Sequence, residues 1–206
     1  MNSLTITPST VEKRGLYGCV PLSTKRLIIR EFQLIDADEL FNLHRNSLAT
    51  RYAGGTRSRD ESHESLCRMI NRVRETGFGT FAVQTKEHRN FIGWVGIQPL
   101  LGSERFEILY ALQPKYWGLG YASEAASALL DAVFRQLREP VDEVIALVYP
   151  QNVPSIRVLE KLGFSFESYY FDEPTQRYAC MYSVKAKASW LPSQIAAQSG
   201  QSSSKK

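Results

Sequence analysis

Between Phe106 and Leu137 an alternating apolar run passes into an amphipathic run through the turn Gln113-Pro114-Lys115-Tyr116-Trp117-Gly118-Leu119-Gly120. Phe106, Ile108, Tyr110 and Leu112 recur every second residue, the period of a strand with one face on a core. Pro114 has no amide with which to continue a ladder. Ala122, Ala125, Ala126, Leu129, Leu130, Val133, Phe134 and Leu137 then recur at spacings of three and four, which puts them on one side of a helix beginning near Gly120. Gly118 and Gly120 allow a ligand close to the backbone, and the unpaired amides of the first helical turn carry partial positive charge. Such a junction favours an anion, and a pyrophosphate is its natural guest.

A chain of 206 residues with ordinary apolar and charged fractions predicts one compact domain with a full core. Its formal charge is +4, but the terminal Lys205 and Lys206 supply two of those charges. The mild excess left on the body argues against a dedicated nucleic-acid binder. Cys19, Cys67 and Cys180 are odd in number, far apart and form no C-x-x-C pair, so neither a disulfide framework nor a zinc site is expected. His44, His63 and His88 are scattered and read as structural or surface residues, with no metal expected. No run approaches the ~18 apolar residues of a membrane span, and the first 24 residues lack the apolar core of a secretion signal. The expectation is a cytoplasmic protein with no membrane partner.

Residues 1 to 22 read as a flexible lead-in, 23 to 190 as the folded domain, and 191 to 206, rich in Gln, Ser and Lys, as a disordered tail. Within the domain the runs 26–32, 80–85, 90–98, 105–112, 143–149, 164–171 and 177–185 read as seven strands, the middle ones an antiparallel meander. Helices are predicted from about Asp36, with Asp36 as cap, from Asp60 to Glu75, after the glycine turn, and from Pro154 to Leu162, where Gly163 suits a helix end.

About thirty residues beyond the glycine turn comes a second motif, Asn152-Val153-Pro154-Ser155-Ile156-Arg157-Val158-Leu159-Glu160-Lys161-Leu162-Gly163-Phe164. The pair, in this order, resembles the general N-acetyltransferase (GNAT) superfamily. Lys115 through Ala122 is similar to its acetyl-CoA pyrophosphate loop, usually Arg or Gln, two residues, Gly, one residue, then Gly or Ala; Lys115 departs from that pattern but keeps a positive charge. Asn152 through Phe164 is similar to its second signature. Ser23-Thr24-Lys25-Arg26-Leu27-Ile28-Ile29-Arg30 resembles the "T-E-R-L-x-L-R" opening of the branch that includes ribosomal-protein alanine and serine acetyltransferases, with Lys25 in place of Glu. The resemblance covers residues 23 to about 187.

It implies an α+β fold, a twisted and mostly antiparallel seven-stranded sheet that splays at the cofactor site and is flanked by about four helices. It implies acetyl-CoA as co-substrate, its pyrophosphate on Gly118, Leu119, Gly120, Tyr121 and Ala122 with Lys115, Trp117 and Ser123 nearby. The pantetheine would lie along Tyr110, Ala111 and Leu112 and be held by Asn152 and Ser155. The acceptor would be a primary amine, on a protein N-terminus or a small molecule, attacking directly in a ternary complex; monomer and homodimer are both compatible.

Acetyl transfer needs a neutral amine, a donor for the thioester oxygen and an acid for the departing thiolate. The Leu112 amide is the candidate donor. Many GNAT enzymes place a tyrosine acid seven residues after the signature Asn, where this chain has Leu159. In the ribosomal-protein branch the role falls to the serine matching Ser155, whose other reading is a serine satisfying helix amides; Tyr149 is a weaker substitute. Glu107, opposite Phe106 and Tyr110 among apolar neighbours, is the candidate base, with Glu173 behind it. Glu124 in the first helical turn reads as complementing the helix dipole. A dinucleotide fold lacks its third glycine and a preceding β-α-β unit here, and a Walker loop lacks Gly-Lys-Ser/Thr. The rival of another class is a GNAT-like module that binds acyl-CoA without transfer.

Overall fold

The computed structural model describes residues 15–16, 18–100, 103, 105–136, 141–172 and 175–186. The tail from 191, most of the lead-in, Leu137 of the predicted helical stripe, and Glu173 with Pro174 lie outside the described residues. The strands are β1 (Leu22–Ser23), β2 (Leu27–Arg30), β3 (Gly79–Thr85), β4 (Phe91–Pro99), β5 (Phe106–Leu112), β6 (Glu143–Val148), β7 (Ser165–Asp172) and β8 (Arg177–Lys185). The helices are α1 (Ala37–His44), α2 (Arg59–Thr76), α3 (Tyr121–Gln136) and α4 (Val153–Leu162).

The strands form one sheet in the order β1-β2-β3-β4-β5-β6-β8-β7. Every neighbouring pair is antiparallel except β5 and β6. The fold is therefore the mixed α and β one expected, with eight strands rather than seven. The additional strand is β1, whose Leu22 and Ser23 pair with Ile29 and Ile28. A two-residue strand has no period to read. Leu16, also within the stretch read as lead-in, is buried in the core and donates its amide to Gly77 O at 2.9 Å.

The two faces of the sheet carry different layers. Leu129, Leu130, Val133 and Phe134 of α3 and Leu159 and Leu162 of α4 pack with Ile29, Val83, Val95, Ile108 and Val144 in the larger core. Leu40 and Leu43 of α1 and Leu66 and Ile70 of α2 pack on Ala82 and Phe91 from the other side. Alternation along β5 sorts its residues accordingly: Phe106, Ile108, Tyr110 and Leu112 belong with the α3 and α4 layer, and Ala111 with the α1 and α2 layer.

Local chemistry fixes the ends of these helices. Ser58 and Glu61 form a reciprocal capping box on α2 at 3.2 and 2.7 Å, an arrangement worth about 1 kcal/mol. Gly163 ends α4 at φ 90°, as the sequence predicts. Asp36 differs from its expected role. Its carboxylate takes both terminal nitrogens of Arg30 at 2.7 and 2.8 Å and the Gln33 amide at 2.8 Å, and no amide of α1. The half-buried guanidinium of Arg30 competes successfully for it. At Gly93, φ 147°, a Cβ would meet Ala111 O at 2.1 Å, so glycine is what lets β4 close onto the end of β5.

Candidate active site

The parallel pair at the centre of the sheet is brief. Phe106 pairs with Val144 and Glu107 with Ile145, and no register continues beyond them. From Ile108 to Leu112 β5 runs on while β6 departs, leaving a wedge whose two lips lead into α3 and α4. The direction of the backbone groups follows from the β4 register. Gln113 donates its amide to Ile92 O at 2.8 Å, so alternate amides, those of Tyr110 and Leu112, point away from β4 and into the wedge.

At the first lip Pro114–Tyr116 makes a short 3-10 turn, and Gly118 and Gly120 follow at φ 74° and 77°. A Cβ at Gly118 would meet nothing within 4 Å. Its glycine answers to the left-handed backbone rather than to crowding, and the surface above it is open. Trp117 folds back to donate Nε1 to Leu112 O at 2.7 Å, with the indole still 47% exposed. Ala122 and Ser123 enter α3, Ser123 being buried. The amides from Gly118 to Ala122 thus fringe an accessible helix start, which fits an anion.

This turn is anchored from outside. Glu124 accepts from Thr24 Oγ1 at 2.6 Å, from the Arg26 amide at 2.8 Å and from Arg26 Nε at 2.7 Å. Arg26 Nη1 donates to Leu119 O at 2.9 Å, and the guanidinium lies 4.3 Å from the centre of the Tyr121 ring. Burial pushes the Glu124 carboxyl up, but the Thr24 and Arg26 hydrogen bonds and the Arg26 charge outweigh it and hold it below its ordinary range. The opening motif around Arg26 and the glycine turn are therefore one structural unit. A helix-dipole role for Glu124 misses this, because the partners lie almost 100 residues away. Lys115 takes another direction: it lines a polar cavity of about 390 Å³ with Glu39, Asn42, Arg45, Asn46 and Gln113 on the α1 side.

At the second lip Asn152 caps α4, its side chain accepting from the Ser155 amide at 3.4 Å. The Ser155 hydroxyl has no hydrogen-bond partner among the described residues, while its carbonyl accepts from Tyr110 OH at 3.2 Å. Burial drives the Tyr110 phenol up to about 12 against that hydrogen bond, so it stays a neutral donor. Leu159, 2% exposed, is part of the core.

Glu107 stands on the opposite face of β5 at the closed end of the wedge. Burial pushes its carboxyl up, the Gln98 Nε2 donor at 3.2 Å opposes this, the charge of Asp172 adds to it, and the Leu147 backbone opposes it again. Tyr149 donates its hydroxyl to Asp172 Oδ2 at 3.2 Å and lies 3.0 Å from Thr175 Oγ1, with Arg177 5.6 Å over its ring. Tyr52, from the segment between α1 and α2, lies tilted against Tyr149 with ring centres 6.2 Å apart and donates to Gln151 O at 3.1 Å. Nothing in the sequence singles out Tyr52 beyond its position in a loop rich in glycine. Glu173 lies outside the described residues.

Residues 26–165 match the acetyltransferase (GNAT) domain family. This chain belongs to the GNAT acetyltransferase family. An N-acetyltransferase of uncharacterised role from Bacillus licheniformis, p20, is 35% identical over 150 residues, 71% of this chain and 83% of its own. A solved GNAT-family acetyltransferase from Bacillus anthracis superposes with a TM-score of 0.70 at 26% identity, covering 80% of this chain and 97% of its own. A ribosomal-protein acetyltransferase solved in complex with coenzyme A shares the fold, with a TM-score of 0.64 at 18% identity over 81% of this chain and 97% of its own. No helix among the described residues is long and apolar enough to cross a membrane.

Proposed function

We propose that this GNAT enzyme transfers an acetyl group from acetyl-CoA to a primary amine by direct attack in a ternary complex. The observation that carries the reading is the wedge between β5 and β6, with an open glycine turn on one lip, Asn152 and Ser155 on the other, and two backbone amides facing inward. Acetyl-CoA, when bound, would supply an acetyl group activated as a thioester. The amides of Gly118 to Ala122 hold its pyrophosphate, and Tyr110, Ala111, Leu112 and Asn152 line its pantetheine arm.

The Leu112 amide donates to the acyl oxygen as negative charge develops there. Glu107, a half-buried carboxyl with a raised pKa, takes the proton from the amine through water. Ser155, whose hydroxyl is uncommitted, gives a proton to the departing sulfur; the Tyr149 hydroxyl is engaged by Asp172 and is second choice. The acceptor enters from the α1 and α2 side, beside the Tyr52–Tyr149 contact.

The reading as a non-catalytic acyl-CoA module is favoured by one feature, the buried Leu159 where many relatives have a tyrosine. Calorimetric titration with coenzyme A, followed by thiol release from acetyl-CoA against a panel of amines and peptides, separates the two. Binding with turnover supports transfer, binding without turnover on any acceptor supports the module, and no binding at millimolar coenzyme A ends both.

A further inference from the structure

We propose that Arg26 is a positioning residue for the cofactor: it holds the glycine turn in the shape that exposes its amides and presents Nη2 to a phosphate of coenzyme A. The inference rests on the proposed use of the wedge for coenzyme A. The start of α3 holds a charge conflict. Glu124 sits in the first turn of the helix whose amides must face a pyrophosphate, where a free carboxylate would repel that anion. Three donors from the β1–β2 connection, the Thr24 hydroxyl and the amide and Nε of Arg26, occupy the two oxygens of Glu124 and compensate its charge.

The remaining guanidinium nitrogens of Arg26 are directed at the turn itself. Nη1 holds the Leu119 carbonyl, which ties the residue between the two glycines to β2. Nη2 has no hydrogen-bond partner among the described residues and lies 3.5 Å from where a Cβ on Gly120 would stand. The Tyr121 ring fixes the plane of the guanidinium. The side chain is 42% exposed, so this nitrogen is within reach of a ligand. Lys115, the cation that sequence pattern alone assigns to the loop, instead lines the cavity on the α1 side. The cation beside the pyrophosphate site comes from a segment some 90 residues upstream.

The test compares the full chain with R26A, R26K and K115A, measuring calorimetric affinity for coenzyme A and for pantetheine, which lacks the phosphates, and amide hydrogen exchange across Gly118 to Ala122. R26A is expected to weaken coenzyme A about ten- to a hundredfold, the worth of one charge-assisted contact and a loop anchor. Pantetheine affinity is expected to stay within twofold, and turn amides to exchange faster. R26K, keeping charge without the fork, is expected to lose less than R26A, and it carries the comparison if R26A fails to fold. K115A is expected to stay within threefold of the parent. Coenzyme A affinity of R26A, or of R26K in its place, equal to the parent overturns the proposal. So does an equal loss for coenzyme A and pantetheine, the mark of general damage to the wedge. An unmutated chain that binds no coenzyme A removes the reading of the wedge and the role of Arg26 together, a result distinct from an unaffected R26A.

Discussion

The Tyr110 hydroxyl donates to the Ser155 carbonyl at 3.2 Å, a bridge from β5 to the first turn of α4 across the gap where the sheet has parted. Strands that diverge forfeit their ladder, and side chains must then set the width of the opening. Tyr110 does so from the floor, on the α3 and α4 side, while its own amide faces the opening.

Tyr110→Phe keeps the ring and removes only this bridge. A loss of about 0.5–1.5 kcal/mol in unfolding free energy is expected, the range for one hydrogen bond whose partner stays reachable by water. With the lips less firmly spaced, KM for acetyl-CoA should rise several-fold while kcat changes less. Denaturant titration and steady-state kinetics read the two effects. An unchanged KM beside the stability loss would confine the bridge to folding.

Glu107 links stability and activity with opposite signs. Its carboxyl is pushed up mainly by burial. Between the ordinary carboxylate value and this raised one, the folded state keeps a proton that the unfolded chain has released, so stability falls as pH rises through that window. If Glu107 is the base, activity rises through the same window. Glu107→Gln should therefore be the more stable protein above the window and lose about 10²- to 10⁴-fold in kcat/KM, with the acid limb of the pH profile gone. A variant that retains the limb would move the base elsewhere.

His44 makes a second pH dependence, of the other sign. It is 3% exposed, and burial first and the Arg57 charge second lower its pKa from 6.5 to about 4. Arg57 Nη1 donates to Nε2 at 3.0 Å, which leaves Nδ1 to donate to Ser62 Oγ at 2.9 Å. Since the unfolded chain takes up a proton first, stability is full above pH 6.5 and falls as pH drops toward about 4. The fall attributable to this residue is on the order of 3 kcal/mol. His44→Gln, which cannot titrate, should flatten that part of the curve when unfolding is followed at a series of pH values. An identical slope in the variant would assign the loss to other groups.

The legible parts of this fold are those in which one segment carries its own period. The alternation of β5, the apolar stripe of α3 and the Gly163 stop are local, and each matches the structure. What sequence pattern misses is settled between segments. Asp36 reads as a cap until Arg30 claims it, and Glu124 reads as a dipole partner until the β1–β2 connection reaches it. Tyr52 acquires meaning only because the turn after β6 brings Tyr149 and Gln151 beneath it. Lys115 fits a motif position by charge, and the structure adds that it lines a polar cavity beside α1.

Ser155 and Leu159 test the source of the acid together. Asn152 already caps α4, and the Ser155 hydroxyl has no partner among the described residues, so Ser155→Ala removes no helix cap and should cost less than ~0.5 kcal/mol of stability. If it protonates the sulfur, turnover falls about ten- to a hundredfold while calorimetric affinity for coenzyme A holds within twofold. Placing a tyrosine at position 159 should not compensate. Leu159 is packed among core residues at 2% exposure, so Leu159→Tyr adds a ring and a hydroxyl to a filled site, at a cost of about 1–3 kcal/mol. The double variant is expected to be no faster than Ser155→Ala alone and to melt lower. Recovery of turnover in that double variant would show that α4 can turn position 159 into the wedge, and would make the absence of a tyrosine, rather than the presence of Ser155, the feature that sets the rate.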